Sequence, residues 1–219
     1  MLLPVACLAL LTVAALAQDG AGKGKAELKL ELPKPMFVGT PKNIKTANLE
    51  KPRKGKRPPV FLPEGCTNLA LDKDVTSSDE EPVLGDVEQI TDGDKEGNSC
   101  LELGPGKQWV QIDLDTVAEI HAIVLWHFHS QARVYRDIVV QTAADPDFIM
   151  DVKTVYNNDH DNSAGLGVGR DKEYIETYEG RIISVKAVKG RYVRLFSNGS
   201  TSNDMNHYIE VEIHGKSIK

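Results

Sequence analysis

The sequence predicts an all-β domain over residues 65–219, and two observations carry this prediction. Short segments rich in Val, Ile and aromatic residues recur along this part of the chain, and this is the composition typical of β-strands. Clusters of Gly, Asn, Asp and Pro separate them, and sustained helical periodicity is almost absent, so the pattern favours a sandwich or a barrel. The predicted strands are Trp109–Leu114, Ile120–His129, Asp137–Thr142, Val152–Tyr156, Arg181–Val188, Arg191–Phe196 and His207–His214.

Two of the predicted strands differ in the way their side chains alternate. In Trp109–Leu114 the apolar residues Val110, Ile112 and Leu114 share one face, so this strand is expected to bury one side only. Ile120–His129 is apolar on both faces, which predicts a central strand that is covered on both sides.

Residues 18–64 read as an extended, basic arm in front of this domain. Seven of the eleven prolines fall here, and repeated proline is incompatible with helix interiors and sheet ladders. The KPRKGKRPP run at 51–59 predicts a solvated tether, with contact to an anionic surface as the alternative. Leu28, Leu30 and Leu32 alternate as in a strand, so this segment is expected either at the edge of the domain or on a partner protein.

The charge is divided unevenly between the arm and the domain. Residues 18–64 carry eleven Lys or Arg against five Asp or Glu, a net charge of +6, whereas residues 65–219 carry fifteen against 27, a net charge of −12. An acidic domain repels phosphates, so nucleic-acid binding is excluded, and calcium or neutral ligands suit it better.

The first 17 residues have the pattern of a signal peptide. A short apolar run ends in Ala15-Leu16-Ala17, a small-x-small cleavage pattern that would leave Gln18 as the mature N-terminus. The run is too short for a comfortable membrane span. The sequence therefore predicts a secreted, periplasmic or otherwise extracytoplasmic protein without a transmembrane segment.

Two cysteines remain after this cleavage, Cys66 and Cys100. In an oxidising compartment an even pair usually bonds, so a Cys66–Cys100 disulfide is predicted. Neither cysteine has a base beside it in the sequence, which makes a catalytic thiol an unfavoured alternative.

Several short motifs occur in an order that resembles the discoidin domains, also called coagulation-factor (F5/8) type C domains. The motifs are Asn68-Leu69-Ala70, Val75–Ser78, Ile90–Asp94, Trp109–Leu114, Arg191–Leu195 and Tyr208–Gly215. The resemblance covers about residues 65–215. It implies an eight-stranded, jelly-roll-like β-sandwich of the galactose-binding-like type, with its two ends close together. It also implies a binding role and no catalysis.

The acidic loop Asp92-Gly93-Asp94 is a candidate calcium site. Calcium takes six to eight oxygen ligands, and in the family that the chain resembles this loop and a Glu of the last strand hold calcium. Carried over to this chain, the ligands are Asp92, Asp94, Ser99 and Glu210. The alternative is a solvated acidic turn, as Asp-Gly pairs often form.

Polar and aromatic residues collect in two loops that predict a ligand face. Sugar recognition needs fixed hydrogen-bond donors and acceptors together with an apolar face. The candidate ligand-binding residues are His127, His129, Arg133, Arg136, Asn158 and His160. As an alternative, His127 and His129 with His160 or Asp161 could hold a transition metal, although one histidine capping the strand is the favoured reading.

The sequence thus favours a calcium-stabilised, extracytoplasmic module that binds a glycan or glycoconjugate and acts in carbohydrate binding or cell adhesion. The alternative is a structural or protein-interaction subunit of an envelope or extracellular assembly, whose arm docks on a partner. A metal-dependent enzyme is a distant third reading, because no nucleophile or metalloprotease motif is present.

Overall fold

A computed structural model describes residues 22–37 and 44–218 of the chain. The predicted signal peptide lies outside these residues. No helix in the described ranges combines the length and the apolar character that a membrane crossing requires.

The described chain is built from ten β-strands and one short 3₁₀ helix, Val87–Thr91. The strands are β1 (Lys25–Glu27), β2 (Phe61–Pro63), β3 (Thr67–Asn68), β4 (Val75–Ser77), β5 (Leu101–Leu103), β6 (Gln108–His127), β7 (Val139–Ala143), β8 (Lys153–Asn157), β9 (Arg181–Ser197) and β10 (Asn206–Ser217).

Eight of the strands form the predicted β-sandwich, and β1 and β2 pair separately in the arm. The strand order is β3-β10-β6-β9-β7-β8, with β4 beside β6 and β5 beside β10, and the pairs are antiparallel. The first half of β6 pairs with β4 and the last half of β9, whereas its second half pairs with β10 and the first half of β9. The two long strands therefore pass through both layers. β3 lies beside the end of β10, so the two ends of the domain meet as expected.

Two pairs of predicted strands are continuous in the structure. Trp109–Leu114 and all but the last two residues of Ile120–His129 belong to β6, and the two segments predicted between 181 and 196 both belong to β9. The β6–β9 ladder shifts its register between Asp113 and Ala118, where Asp115 takes a positive φ of 64°. The turn-like residues there bend the strand but do not end it, because an irregularity in an antiparallel ladder is compatible with continued pairing.

The core confirms which faces of β6 are buried. Val110, Ile112 and Leu114 point into the main core between the layers, as predicted. Ile123 and Leu125 join the same core further along the strand.

The opposite face of β6 carries Val124 and Trp126, which form a second cluster with Cys100 and Ile209. Leu28 and Leu30 of the arm pack against this cluster, whereas Leu32 is exposed. The strand is apolar on both faces because the arm covers the second face. The segment around Leu28 therefore lies along the domain, which is one of the two placements that its alternation allowed.

The basic run at 51–59 is anchored to the domain through two arginines and is otherwise largely exposed, so the expected solvated tether is corrected at these two points. Leu49 forms a parallel bridge with Glu173. Arg53 and Arg57 both pair with Glu179. Burial is the main cause that lowers the pKa of Arg57, as expected for a guanidinium that is packed against protein.

The predicted Cys66–Cys100 disulfide is contradicted, because both cysteines are free thiols. Their neighbours Thr67 and Leu101 pair with Gly215 and Tyr208, which stand seven residues apart on β10. At about 3.3 Å per residue this separates the two cysteines by roughly 20 Å, whereas a disulfide needs Cα atoms within about 7 Å. Burial raises the pKa of the Cys100 thiol to about 11.

Candidate functional site

A polar cavity of about 620 Å³ lies where several loops meet at one end of the sandwich. We call it the loop cavity. Its walls come from the β5–β6 loop, the residues just before β7, the segment after β8, the β9–β10 loop and the arm. The residues that line it are Asn48, Pro105, Gly106, Arg136, Asp137, Asn158, His160, Asp161, Ser163, Glu173, Asn198 and Asp204. Three of the six predicted ligand residues, Arg136, Asn158 and His160, are brought together here.

Asn158 supplies a fixed hydrogen-bond donor in this wall. Its backbone NH donates to the Ile138 carbonyl at 3.0 Å, and its Oδ1 accepts from the Ile138 NH at 2.7 Å. The carboxamide orientation is therefore set, because only the oxygen can accept. The side chain is 2% exposed, and Nδ2 has no partner among the described residues.

Three carboxylates meet beside it, and we call them the acidic trio: Asp137, Asp159 and Asp161. One oxygen of each lies within 4.8 Å of the others. Asp159 is fully buried and accepts from the backbone NH groups of Ser163 at 3.0 Å and Ala164 at 2.9 Å. Burial raises the pKa of Asp159, whereas hydrogen bonds from Ser163 lower the pKa of Asp161.

Arg136 and His160 add the cationic and imidazole groups of the cavity. The Arg136 guanidinium lies 3.6 Å from a carboxylate oxygen of Asp204, and its side chain is about half exposed. Its backbone is fixed by a 3.0 Å hydrogen bond to the Gly199 carbonyl. His160 has a buried Nε2 without a partner among the described residues. The cavity therefore offers donors and acceptors at fixed positions.

The other three predicted ligand residues, His127, His129 and Arg133, are corrected by the structure. All three are buried, with at most 5% of the residue exposed. His127 donates or accepts through Nδ1 with Glu176 at 2.7 Å and stacks on Tyr135 at 4.2 Å between ring centroids. These three residues stabilise the interior and do not line the loop cavity.

His129 and Arg133 each contact a different residue in the interior. His129 Nε2 lies 2.9 Å from the Lys95 carbonyl, and the Arg133 guanidinium lies 4.5 Å from the centre of the Phe128 ring. His127 and His129 therefore do not converge with His160, and the metal reading that combined them is not supported by the described residues.

The predicted calcium loop does contact the last strand. Glu210 is fully buried and its Oε2 accepts from the Gly93 NH at 3.1 Å. Its Oε1 has no partner among the described residues. Burial is the main cause that raises the pKa of Glu210 to about 9, and the nearby Asp92 contributes to this increase. Near neutral pH the buried group therefore carries a proton unless a cation offsets its charge, and its unpaired oxygen is one position for such a cation.

The other predicted calcium ligands are less convergent. Asp94 and Ser99 are exposed, and Asp92 uses one oxygen to accept from the Asp94 NH at 2.7 Å. Among the described residues, the carboxylates of Asp92, Asp94 and Glu210 do not form a group within 4.8 Å of one another.

Lys95 lies beside this loop and was not singled out by the sequence. Its ammonium group pairs with Glu212 at 2.8 Å and donates to the Gly93 carbonyl at 3.2 Å. It also lies 5.5 Å from the centre of the Trp126 ring. The Lys95 ammonium group therefore places a positive charge next to the acidic loop.

The polar cavity residues that sequence reasoning missed are Asn48, Asp137, Ser163, Glu173, Asn198 and Asp204. They come from four separate parts of the chain. A signal was present only for the long segment after β8, since long structured loops are often functional.

No protein-family model matches the chain, and no curated protein does either. Among solved structures, a labelled mutant of chitosan-binding module 1 from a Paenibacillus sp. IK-5 chitosanase/glucanase is similar with a TM-score of 0.50 and 20% identity, over 68% of this chain and 98% of that one. A family 89 glycoside hydrolase from Clostridium perfringens has a TM-score of 0.52 and 14% identity, over 68% of this chain and 15% of that one. A fucolectin from striped bass (Morone saxatilis) serum has a TM-score of 0.48 and 18% identity, over 70% of this chain and 50% of that one.

These similarities concern the fold. The domain has the galactose-binding-like β-sandwich fold that the ordered motifs predicted.

Proposed function

We propose that the protein is a non-catalytic carbohydrate-binding module and that the loop cavity is its binding site. The observation that carries the proposal is the set of fixed polar groups in this cavity, above all the buried and unpaired Nδ2 of Asn158. A cavity of several hundred Å³ with a few convergent polar groups is the usual form of a small-molecule site. A solved structure of the same fold bears the name of a chitosan-binding module.

The chemistry of the cavity suits a polyhydroxylated ligand. Sugar hydroxyls both donate and accept, so they can satisfy the Asn158 donor and the carboxylate acceptors of the acidic trio at the same time. The Arg136 guanidinium adds further donors at the rim. We also place this binding in an extracytoplasmic setting, with a role in adhesion to glycans, on the basis of the signal-peptide pattern over residues 1–17.

Replacing Arg136 with alanine is expected to weaken glycan binding about tenfold, because hydrogen bonds from a charged donor contribute about 1.5–3 kcal/mol. A glycan array followed by calorimetric titration of the best ligand measures this. Arg170 is exposed and does not line the cavity, so Arg170→Ala is the matched control and should bind normally. Equal affinity of both variants would place the site elsewhere.

We propose in addition that calcium stabilises the domain at the loop Asp92–Asp94, with Glu210 as its buried ligand and Asp92, Asp94 and Ser99 completing the protein's share. The unpaired Oε1 of Glu210 supports this proposal. The ion would supply the positive charge that offsets the buried carboxylate and would hold the loop against β10.

Calcium at 100 times its dissociation constant is expected to stabilise the protein by about 2.7 kcal/mol, or roughly 5–10 °C in melting temperature. A chelator should reverse the shift. Glu210→Gln should abolish the response, whereas Asp161→Asn, in the acidic trio, should keep it. If neither calcium nor the chelator changes the melting temperature, the calcium site is contradicted, and Lys95 is the cation that holds the loop.

A further inference from the structure

The loop cavity carries an excess of negative charge that hydroxyl binding alone does not use. Asp137, Asp161, Glu173 and Asp204 line it, and Asp159 lies with them. Arg136 is the one arginine or lysine in this wall, and it is paired with Asp204. In the described part of the chain, no lysine or arginine forms an ion pair with the acidic trio.

Two oxygens of the trio are available to a ligand. Asp137 Oδ2 accepts from Ser163 Oγ at 2.7 Å and from Asn198 Nδ2 at 2.8 Å, and Asp161 Oδ1 accepts from the Ser163 NH at 3.0 Å. Both oxygens of Asp159 are used by backbone NH groups. Asp137 Oδ1 accepts no hydrogen bond from the described residues, whereas the carboxylate of Asp161 also faces the side chains of Ser163 and Asp159, which lower its pKa.

The hydrogen bonds that the acidic trio already accepts favour an ammonium group over a metal ion as the cation that binds there. Calcium needs six to eight oxygens, and four of the six oxygens of the trio already accept a hydrogen bond. An ammonium group has only three donors to place, and two free carboxylate oxygens with one further acceptor satisfy it. Charged hydrogen bonds of this kind are roughly twice as strong as neutral ones.

The neighbouring groups indicate what carries this ammonium. Asn158 lines the same cavity, and its buried, unpaired Nδ2 requires an acceptor such as a hydroxyl oxygen. The lining contains no Phe, Tyr or Trp, so a stacking surface for a neutral sugar ring is missing from it. Binding energy in this cavity must therefore come from hydrogen bonds and charge.

We infer that the loop cavity selects an amino sugar with a free ammonium group, which binds Asp137 and Asp161 while Asn158 donates to an adjacent hydroxyl. This inference rests on the proposed carbohydrate-binding function and names the class of sugar. An N-acetylated or neutral sugar offers no cation to the trio and binds less tightly.

The test is calorimetric titration of the full chain with a glucosamine oligosaccharide and with its N-acetylated counterpart of equal length. We expect at least tenfold tighter binding of the free amine. Asp161→Asn keeps the oxygen that accepts from Ser163 and removes the charge, so it should weaken amine binding about tenfold. It should weaken binding of the N-acetylated sugar by a clearly smaller factor, because an amide oxygen still accepts from a hydroxyl group. Asp151→Asn, at an exposed aspartate with a positive φ of 53°, is the matched control.

The outcomes separate the two levels of the proposal. Equal affinity for both oligosaccharides would overturn the inference and leave carbohydrate binding intact. Loss of amine binding on addition of a chelator, restored by calcium, would assign the trio to a metal ion and also overturn it. Binding of no glycan of any kind would overturn the proposed function together with the inference. Amine binding that weakens as the ligand amine loses its proton at higher pH would support it.

Discussion

Replacing Glu176 with alanine is expected to lower the free energy of unfolding by about 3 kcal/mol. Glu176 and His127 are at most 1% exposed, and their side chains lie 2.7 Å apart. The substitution leaves His127 Nδ1 in the interior without an acceptor, and an unpaired buried polar or charged group is costly. The stacking of His127 on Tyr135 restricts rotation of the imidazole, so the ring does not readily reach solvent.

Chemical denaturation of the unsubstituted chain and of three variants measures this effect. Glu176→Gln keeps an oxygen that accepts from His127 and should lose clearly less stability than Glu176→Ala. Glu80 is exposed, so Glu80→Ala should unfold at the same denaturant concentration as the unsubstituted chain. If Glu176→Ala is as stable as Glu80→Ala and the unsubstituted chain, the pair with His127 does not stabilise the interior.

The same pair explains why only half of the ligand face was predictable. The sequence places His127 and His129 at the end of a predicted central strand and Arg133 after it, and such residue types are common in sugar sites. It does not show that the side chains of all three residues are buried in the interior and lie outside the loop cavity. The orientation of the two imidazoles is set by contacts with residues distant in the sequence. His127 contacts Glu176, 49 residues away, and His129 contacts Lys95, 34 residues away.

The fold was more accessible than the site, because alternation along a strand is a local property of the sequence. The buried face of Val110, Ile112 and Leu114 follows from a period of two. The loop cavity instead depends on contact between Asp137 and Asp161, which are 24 residues apart in the sequence. No periodicity reports such a contact, and only the length of the segment after β8 indicated it.

Replacing both Leu28 and Leu30 with alanine is expected to cost about 2–4 kcal/mol of stability. These side chains cover the outer cluster that contains Val124 and Trp126, and each partly buried leucine contributes about 1–2 kcal/mol. The arm is further tied to the domain where the Leu28 NH donates to the Val60 carbonyl at 2.7 Å. The double variant should unfold at lower denaturant and expose Trp126 to quenchers of its fluorescence.

Leu32 provides the matched control for this prediction, because it belongs to the same alternating segment and is 45% exposed. Leu32→Ala should change stability by less than about 0.5 kcal/mol, as surface substitutions usually do. If the double variant at Leu28 and Leu30 behaved in the same way, the arm would be a tether, and the second apolar face of β6 would need another cover. A loss confined to the double variant shows that the arm is part of the folded domain, since the cluster around Trp126 has an apolar area that water would otherwise reach.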